Sequence, residues 1–202
     1  MASMMYTPSK HTINDNGNPS WDYKNEDSIY NVLNYILTPP VPLIHTGAMG
    51  APINDIDGII AAFLSTQCLW KKTDGRRIRH EVLGIDTSDH IKDNAILIPI
   101  AYSCALYYWQ KGFQVVFAVW GSDKDHIRNL PEIHFAINTV ALPDGHKYTS
   151  NQETRICQSI DFQNIVDYFT GSYAFAMNTM FDEPDYSDFL YCPKFTDFAV
   201  KK

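Results

Sequence analysis

The segment that most constrains the fold is a strict alternation of polar and apolar side chains between Glu132 and Asn138. Successive side chains on a β-strand point to opposite faces, so one face presents a carboxylate, an imidazole and an amide. The other face is apolar, which predicts that it is buried. Residues 113–120 are strongly apolar and predict a second strand. Because the loop between these strands is too short for a helical crossover, they favour an antiparallel sheet.

Helical periodicity marks the segment from Ile29 to Leu37, where apolar residues recur at i, i+3, i+4, i+7 and i+8. The prolines that follow stop this helix. On a helical wheel, Tyr35 lies away from the apolar stripe. Three further helices are predicted: one from about Asp55, one over 89–110 with a kink at Pro99, and one over 161–170. A Gly-rich turn is predicted over 45–52 and a strand over 77–85. This order predicts an α+β fold, an antiparallel sheet with helices on one side.

The 202 residues are enough for one domain with a real core. Residues 1–25 hold few spaced apolar side chains and predict a flexible arm, and residues 182–202 form an acidic, aromatic tail, which leaves one domain over 26–181. No apolar run is long enough to span a membrane, the N-terminal segment has no signal-peptide core, and the four cysteines show no paired spacing. We therefore expect a cytoplasmic protein with no membrane partner.

The net charge of −7 bears on nucleic-acid binding, because such domains are usually basic. Positive charge is local, in one cluster before and within the strand over 77–85. We expect the DNA-binding side chains of this cluster to be Lys72, Arg76, Arg77 and Arg79. The alternative is a solvated strand edge that blocks aggregation. His80 lies on the opposite, apolar side of this strand, and we expect it to be a hydrogen-bonded histidine of the core.

A cluster of potential metal ligands surrounds the first alternating strand: Asp123, Asp125, His126, Glu132 and His134. Carboxylate and imidazole donors that converge from a strand and the preceding loop suit Mg²⁺, Mn²⁺ or Zn²⁺. The alternative is a solvated loop followed by a hydrogen-bonded sheet histidine.

Tyr35 is a candidate nucleophile, because a tyrosine can attack a phosphodiester and hold the product covalently. It is one of 12 tyrosines in the chain, so composition alone does not single it out.

Four segments, in order, resemble the N-terminal domain of conjugative relaxases, the mobilisation endonucleases of the HUH class. Val32–Ile36 with its prolines resembles the segment that holds the nucleophilic tyrosine. The stretch from Lys72 to Leu83 resembles a Gly-Arg-Arg turn and its strand, and Gly112–Val119 resembles the apolar strand after it. Residues 123–126 with 134–140 resemble the metal motif, and Asp144–Tyr148 the turn after that motif.

The resemblance implies a relaxase-like single domain whose antiparallel sheet is flanked by helices. It also implies a function: single-stranded DNA at a transfer origin is nicked by Tyr35 as the catalytic nucleophile, through a 5′-phosphotyrosine adduct. A divalent metal, Mg²⁺ or Mn²⁺, would be held by His126, Glu132 and His134. Other mobilisation proteins are further implied partners.

This chain departs from the family pattern at the metal motif. The first motif histidine falls near Trp120 or Gly121, the middle one aligns with Arg128, and residues 130–133 are an insertion. Glu132 can supply a third ligand, or Arg128 can take the place of the metal and leave a metal-free pseudoenzyme. Gly84 stands in the place of the family's strand serine.

Three readings therefore stay open from the sequence. The first is an active, metal-dependent DNA endonuclease, and the second is an inactive relaxase homologue that binds DNA or protein and needs no cofactor. The third is an α+β interaction domain whose likeness to relaxases is accidental.

Overall fold

The structure is a computed structural model that describes the backbone of residues 4–8 and residues 27–53, 55–85, 94–122 and 131–171. Its elements in chain order are β1 (Met4–Pro8), α1 (Asp27–Leu37), β2 (Leu43–Met49), α2 (Ile56–Leu69), β3 (Ile78–Ile85), α3 (Leu97–Gln110), β4 (Val115–Trp120), β5 (Glu132–Asn138) and α4 (Gln152–Thr170). A short 3₁₀ turn, Asn94–Ile96, leads into α3.

A five-stranded sheet with the order β1-β3-β5-β4-β2 forms the centre of the molecule. Every neighbouring pair of strands is antiparallel, which confirms the predicted α+β fold. β5 lies in the middle of the sheet, where β3 and β4 pair with its two edges. The two edge strands, β1 and β2, were not predicted: β1 lies in the segment expected to be an arm, and β2 lies largely in the expected Gly-rich turn.

Helices cover both faces of the sheet, whereas the sequence pattern had placed them on one side. α1 and α2 bury Leu33 and Phe63 against the face that carries Ala118 and Ala136. α3 and α4 form a second core with the apolar side chains of the opposite face, which include Val115, Phe117, Ile133, Phe135 and Ile137. The predicted alternation along β5 is therefore correct, but both of its faces are buried because each has its own helical layer.

Two helix boundaries differ from the prediction for local reasons. α4 begins nine residues earlier than Asp161, at Gln152, because Asn151 and Thr154 form a reciprocal capping box. α3 begins as an α-helix at Leu97, so Pro99 lies in its first turn, where a backbone N–H needs no helical partner. The expected start near residue 89 lies outside the described residues. No helix in the described part of the chain is long and apolar enough to cross a membrane.

Candidate active site

The centre of the candidate site is the polar face of β5. Glu132 and His134 point to the same side, as the alternation predicted, with Nε2 of His134 3.1 Å from Oε2 of Glu132. The His134 side chain is only 2% exposed and that of Glu132 is 22% exposed. Because β5 is paired on both edges, the backbone that carries these two side chains is rigidly placed.

Tyr35, in the last turns of α1, packs directly over this pair. Its ring centroid lies 5.9 Å from that of His134, 5.7 Å from that of His80 and 5.1 Å from that of Trp120, all in edge-on or tilted contacts. The helical wheel had placed Tyr35 away from the buried stripe, but its long side chain reaches the sheet at the edge of the helix–sheet interface. The structure therefore brings the candidate nucleophile together with two of the three candidate metal ligands.

The acidity of Tyr35 reflects these surroundings. Burial raises the pKa of its phenol, and the negative charge of Glu132 raises that pKa further. Tyr35 is consequently protonated at neutral pH, and any use of its oxygen as a nucleophile requires that the proton be removed, which an offset of the Glu132 charge would favour.

His80 is a member of the site that sequence reasoning did not assign to it. It is buried on β3, as expected of a core histidine, but its Nε2 lies 3.0 Å from Nδ1 of His134. In the β3–β5 register His80 stands opposite Ala136 and Val82 opposite His134, so the two imidazoles are diagonal neighbours on one face. Only the pairing register brings them together, and no local sequence pattern carries that information.

Trp120 closes another side of the site. It stands opposite Glu132 in the β4–β5 register, and its ring lies nearly flat on His134, with centroids 3.6 Å apart and planes 26° apart. Its indole N–H donates to the backbone oxygen of Ile36 at 2.9 Å, which ties the sheet to α1. An apolar ring therefore occupies the position near which the family pattern places a histidine.

Metal-binding capacity in the described part of the chain rests on His134 and Glu132. Two ligands at right angles, each about 2.1 Å from one ion, are about 3 Å apart, which matches the separation of Nε2 and Oε2. The described residues contain no group of three or more His, Cys, Asp or Glu side chains that would hold a metal ion. The third predicted ligand, His126, lies outside the described residues, as do Asp123, Asp125 and Arg128.

The basic cluster divides into buried and exposed side chains. Arg77 is 5% exposed and donates through Nε to Oε1 of Gln67 and through Nη1 to the backbone oxygen of Thr73. Arg79 is 8% exposed and pairs with Glu81. These two guanidinium groups make contacts inside the fold.

Lys72 and Arg76 are the exposed members of the predicted DNA-binding set. Their turn is held by Lys147, whose Nζ donates to the backbone oxygens of Lys72, Asp74 and Arg76 at 3.3, 2.9 and 3.4 Å. Burial lowers the pKa of Lys147. The exposed basic turn is thus a fixed structure at the end of the sheet opposite Glu132.

Comparison with protein families identifies one match. A family model described as "Relaxase: MobA/VirD2-like, nuclease domain" matches residues 42–161, which is more than half of the chain. The matched span contains β2 to β5 and includes His80, Glu132 and His134, whereas Tyr35 precedes it. A comparison with curated proteins finds no significant match.

Proposed function

This chain belongs to the relaxases with a MobA/VirD2-like nuclease domain, and on that premise we propose that it nicks single-stranded DNA and transfers the strand through Tyr35. The observation that carries the proposal is the convergence of Tyr35, from α1, on the His134–Glu132 pair of β5. These residues come from separate parts of the chain, and the fold places them together although Tyr35 lies outside the matched span. The family match over residues 42–161 shows that the likeness to relaxases is not accidental.

In the proposed reaction the Tyr35 oxygen attacks the scissile phosphorus. A bond forms between that oxygen and the phosphorus, the bond to the 3′ oxygen breaks, and the 5′ end of the downstream strand remains on the tyrosine. The phenolic proton is, in net, transferred to the released 3′ oxygen. The reverse attack by a 3′ hydroxyl rejoins a strand, so the adduct stores the energy of the broken phosphodiester.

The residues beside Tyr35 orient and tune it. His80, His134 and Trp120 surround its ring and fix the direction of the phenol. Glu132 and His134 fit a divalent cation by their donor types and separation, and we propose His126 as a further ligand. Such an ion, Mg²⁺ or Mn²⁺, supplies polarisation of the scissile phosphate.

We propose Lys72 and Arg76 as the exposed phosphate contacts. Arg77 supports the turn from inside through the backbone oxygen of Thr73, whereas Arg79 pairs with Glu81 within the fold. Gly84, opposite Glu132, is eight residues after Arg76 along β3, so the basic turn and the Glu132 end of the site are roughly 26 Å apart at about 3.3 Å per residue. A DNA strand that reaches both must therefore span several nucleotides. Because the net charge is −7, binding depends on this local contact rather than on attraction by the whole protein.

The phosphate contacts can be tested by the salt dependence of DNA binding. For single-stranded DNA, each neutralised phosphate contributes about −0.7 to the slope of log K against log salt concentration. Lys72→Ala with Arg76→Ala should weaken binding of a randomised single-stranded pool and make the slope shallower by about 1.4. Arg155→Ala removes an exposed charge from α4 and serves as the control. An unchanged slope in the double variant would exclude these two contacts.

The nucleophile is tested with the same DNA pool, labelled at its 3′ end and incubated with Mn²⁺. Because the proposed adduct keeps the 5′ end of the downstream strand, the label should move with the protein in a denaturing gel. Tyr35→Phe should abolish this adduct and leave DNA binding intact. Tyr30→Phe, on an exposed position of the same helix, is the matched control. An adduct that survives Tyr35→Phe would refute the assignment.

A second candidate function is a catalytically inactive relaxase homologue that binds DNA or a mobilisation protein. The observation that favours it is Trp120, whose indole lies flat on His134 where the family pattern places a metal ligand. This function predicts that the chain binds no Mn²⁺ and forms no adduct with the DNA pool. Calorimetric titration of the intact chain with Mn²⁺, beside His134→Ala, separates the two functions.

For either function we propose a transfer-origin strand as the DNA partner and the cytoplasm as the place of action. Both follow from the relaxase family, because mobilisation begins on DNA inside the donor cell.

A further inference from the structure

The two buried histidines and Glu132 form a continuous chain of polar contacts across two strands. Nε2 of His80 lies 3.0 Å from Nδ1 of His134, and Nε2 of His134 lies 3.1 Å from Oε2 of Glu132. The planes of the two imidazoles are 27° apart. Both histidines are buried, so each ring nitrogen of His134 has a protein partner where water has little access.

The positions of the protons on His80 and His134 follow from the donor and acceptor properties of these two imidazoles and of the Glu132 carboxylate. A neutral imidazole has one N–H donor and one acceptor nitrogen. Because the Glu132 carboxylate accepts, Nε2 of His134 carries the proton and Nδ1 of His134 accepts. Nε2 of His80 must then donate to that Nδ1. Two neutral imidazoles and one carboxylate satisfy all of these contacts.

The hydrogen bond between His80 and His134 can also form with donor and acceptor exchanged. If Nε2 of His134 gives its lone pair to a cation beside Glu132, the His134 proton moves to Nδ1. Nδ1 then donates, and Nε2 of His80 accepts once the single proton of His80 has moved to its own Nδ1. His80 suits both states because an imidazole can exchange its donor and acceptor nitrogens, whereas an apolar side chain could serve neither.

We propose that His80 is a positioning residue that partners Nδ1 of His134 and fixes the orientation of its ring, so that Nε2 of His134 faces the Glu132 carboxylate and any cation held there. This role rests on the proposed function of the His134–Glu132 pair for its use in the reaction. The hydrogen bond between Nε2 of His80 and Nδ1 of His134 does not require a metal, and it can be tested separately.

The experiment uses two substitutions at His80. Gln reaches a similar distance and can donate or accept through its amide, whereas Leu fills similar space and can do neither. Loss of an outer partner of a metal-binding histidine weakens metal affinity by about 10- to 100-fold. His80→Leu should therefore weaken Mn²⁺ binding by about that factor in calorimetry, and His80→Gln should stay within about threefold of the parent chain. His45→Leu, which alters a histidine on β2 that contacts Tyr102, should change nothing.

A second measurement needs no metal. In long-range ¹H–¹⁵N spectra of the metal-free parent chain, His134 should be a single Nε2–H tautomer with a hydrogen-bonded Nδ1, and His80→Gln should keep this pattern. His80→Leu should shift the Nδ1 resonance towards that of an acceptor without a hydrogen bond. If His80 only fills space, the Nδ1 resonance of His134 will be the same in His80→Leu as in the parent chain.

The outcomes separate this proposal from the proposed function. Equal Mn²⁺ affinity in the parent chain and a folded His80→Leu overturns the role of His80 while leaving the metal site intact. If the parent chain binds no Mn²⁺, the metal-dependent function fails, and the ring-nitrogen resonances of His134 in the parent chain and in the two His80 variants test the role of His80. An Nδ1–H tautomer or a tautomer mixture in the metal-free parent chain overturns the proposal, even if His80→Leu does not fold.

Discussion

Substitution of Glu132 by Gln should lower the pKa of the Tyr35 phenol. Two causes raise this pKa in the parent chain, burial first and the Glu132 charge second. Gln has nearly the same shape as Glu and can still accept the Nε2–H of His134 through its amide oxygen. The substitution therefore removes the charge and keeps the packing, so only the second cause is lost.

The size of the effect follows from the geometry. The Tyr35 and His134 rings are 5.9 Å apart and Glu132 contacts His134 at 3.1 Å, so a separation of about 6 Å is a reasonable scale for the Tyr35–Glu132 interaction. Unit charges about 6 Å apart interact by about 0.7 kcal/mol in bulk water and about 2.8 kcal/mol at an effective dielectric constant of 20. We therefore expect the pKa of Tyr35 to fall when this interaction is removed, with burial keeping it above its ordinary value.

The assay is a pH titration of the tyrosine ¹³Cζ resonances in metal-free buffer. The Tyr35 resonance is the one missing from the Tyr35→Phe spectrum. Glu153→Gln, which removes the same charge from an exposed site on α4, should leave the Tyr35 titration unchanged. A Tyr35 midpoint that stays equal or rises in Glu132→Gln would refute the electrostatic link between the candidate nucleophile and the candidate metal ligand.

Three further predictions concern stability and metal affinity. Burial raises the pKa of Asp161 from 3.8 to about 6, so its contribution to stability is complete below pH 3.8 and is lost as the pH rises through 6. In urea titrations Asp161→Asn should raise the free energy of unfolding at about pH 8 by on the order of 1–2 kcal/mol after solvent screening, and by little at about pH 4; an equal gain at both would contradict this. A Cβ at Gly47 would lie 2.3 Å from Cζ of Phe117, so Gly47→Ala should cost about 1–3 kcal/mol in the same titrations, and a neutral effect would show that the ring can move aside. Trp120→His should place a third nitrogen donor beside His134 and tighten Mn²⁺ binding in calorimetry, and an unchanged affinity would show that this position is not directed at the site.

The parts of the fold that local sequence predicted are those in which periodicity and environment agree. The stripe from Ile29 to Ile36 is buried as expected, and the alternation along β5 assigns its two faces correctly. β2 could not be found in this way, because His45, Gly47 and the residues around them have the composition of a turn. They form a strand because β4 pairs with them and because the absence of a Cβ at Gly47 makes room for Phe117.

The candidate site shows the same division between local and non-local information. The family resemblance named Tyr35 and His134, and the structure placed them in contact. His80 was read as a core histidine, because its partner is 54 residues away and only the β3–β5 register joins them. The sequence pattern predicts Arg77 to be a surface charge, yet its guanidinium is buried, where Nε donates to Oε1 of Gln67 on the preceding helix.

Under the proposed function, the exposure of the site residues determines how a phosphodiester can reach Tyr35. His134 is covered by Tyr35 on one side and by Trp120 on another, whereas Glu132 at the end of β5 keeps 22% of its side chain exposed. A phosphate or a cation must therefore approach from the Glu132 end, which is opposite the Lys72–Arg76 turn. Because the two contacts are separate, loss of the basic turn should weaken DNA binding without changing the rate of adduct formation from the bound complex. A fall in that rate at saturating DNA would mean that the turn also aligns the scissile phosphate.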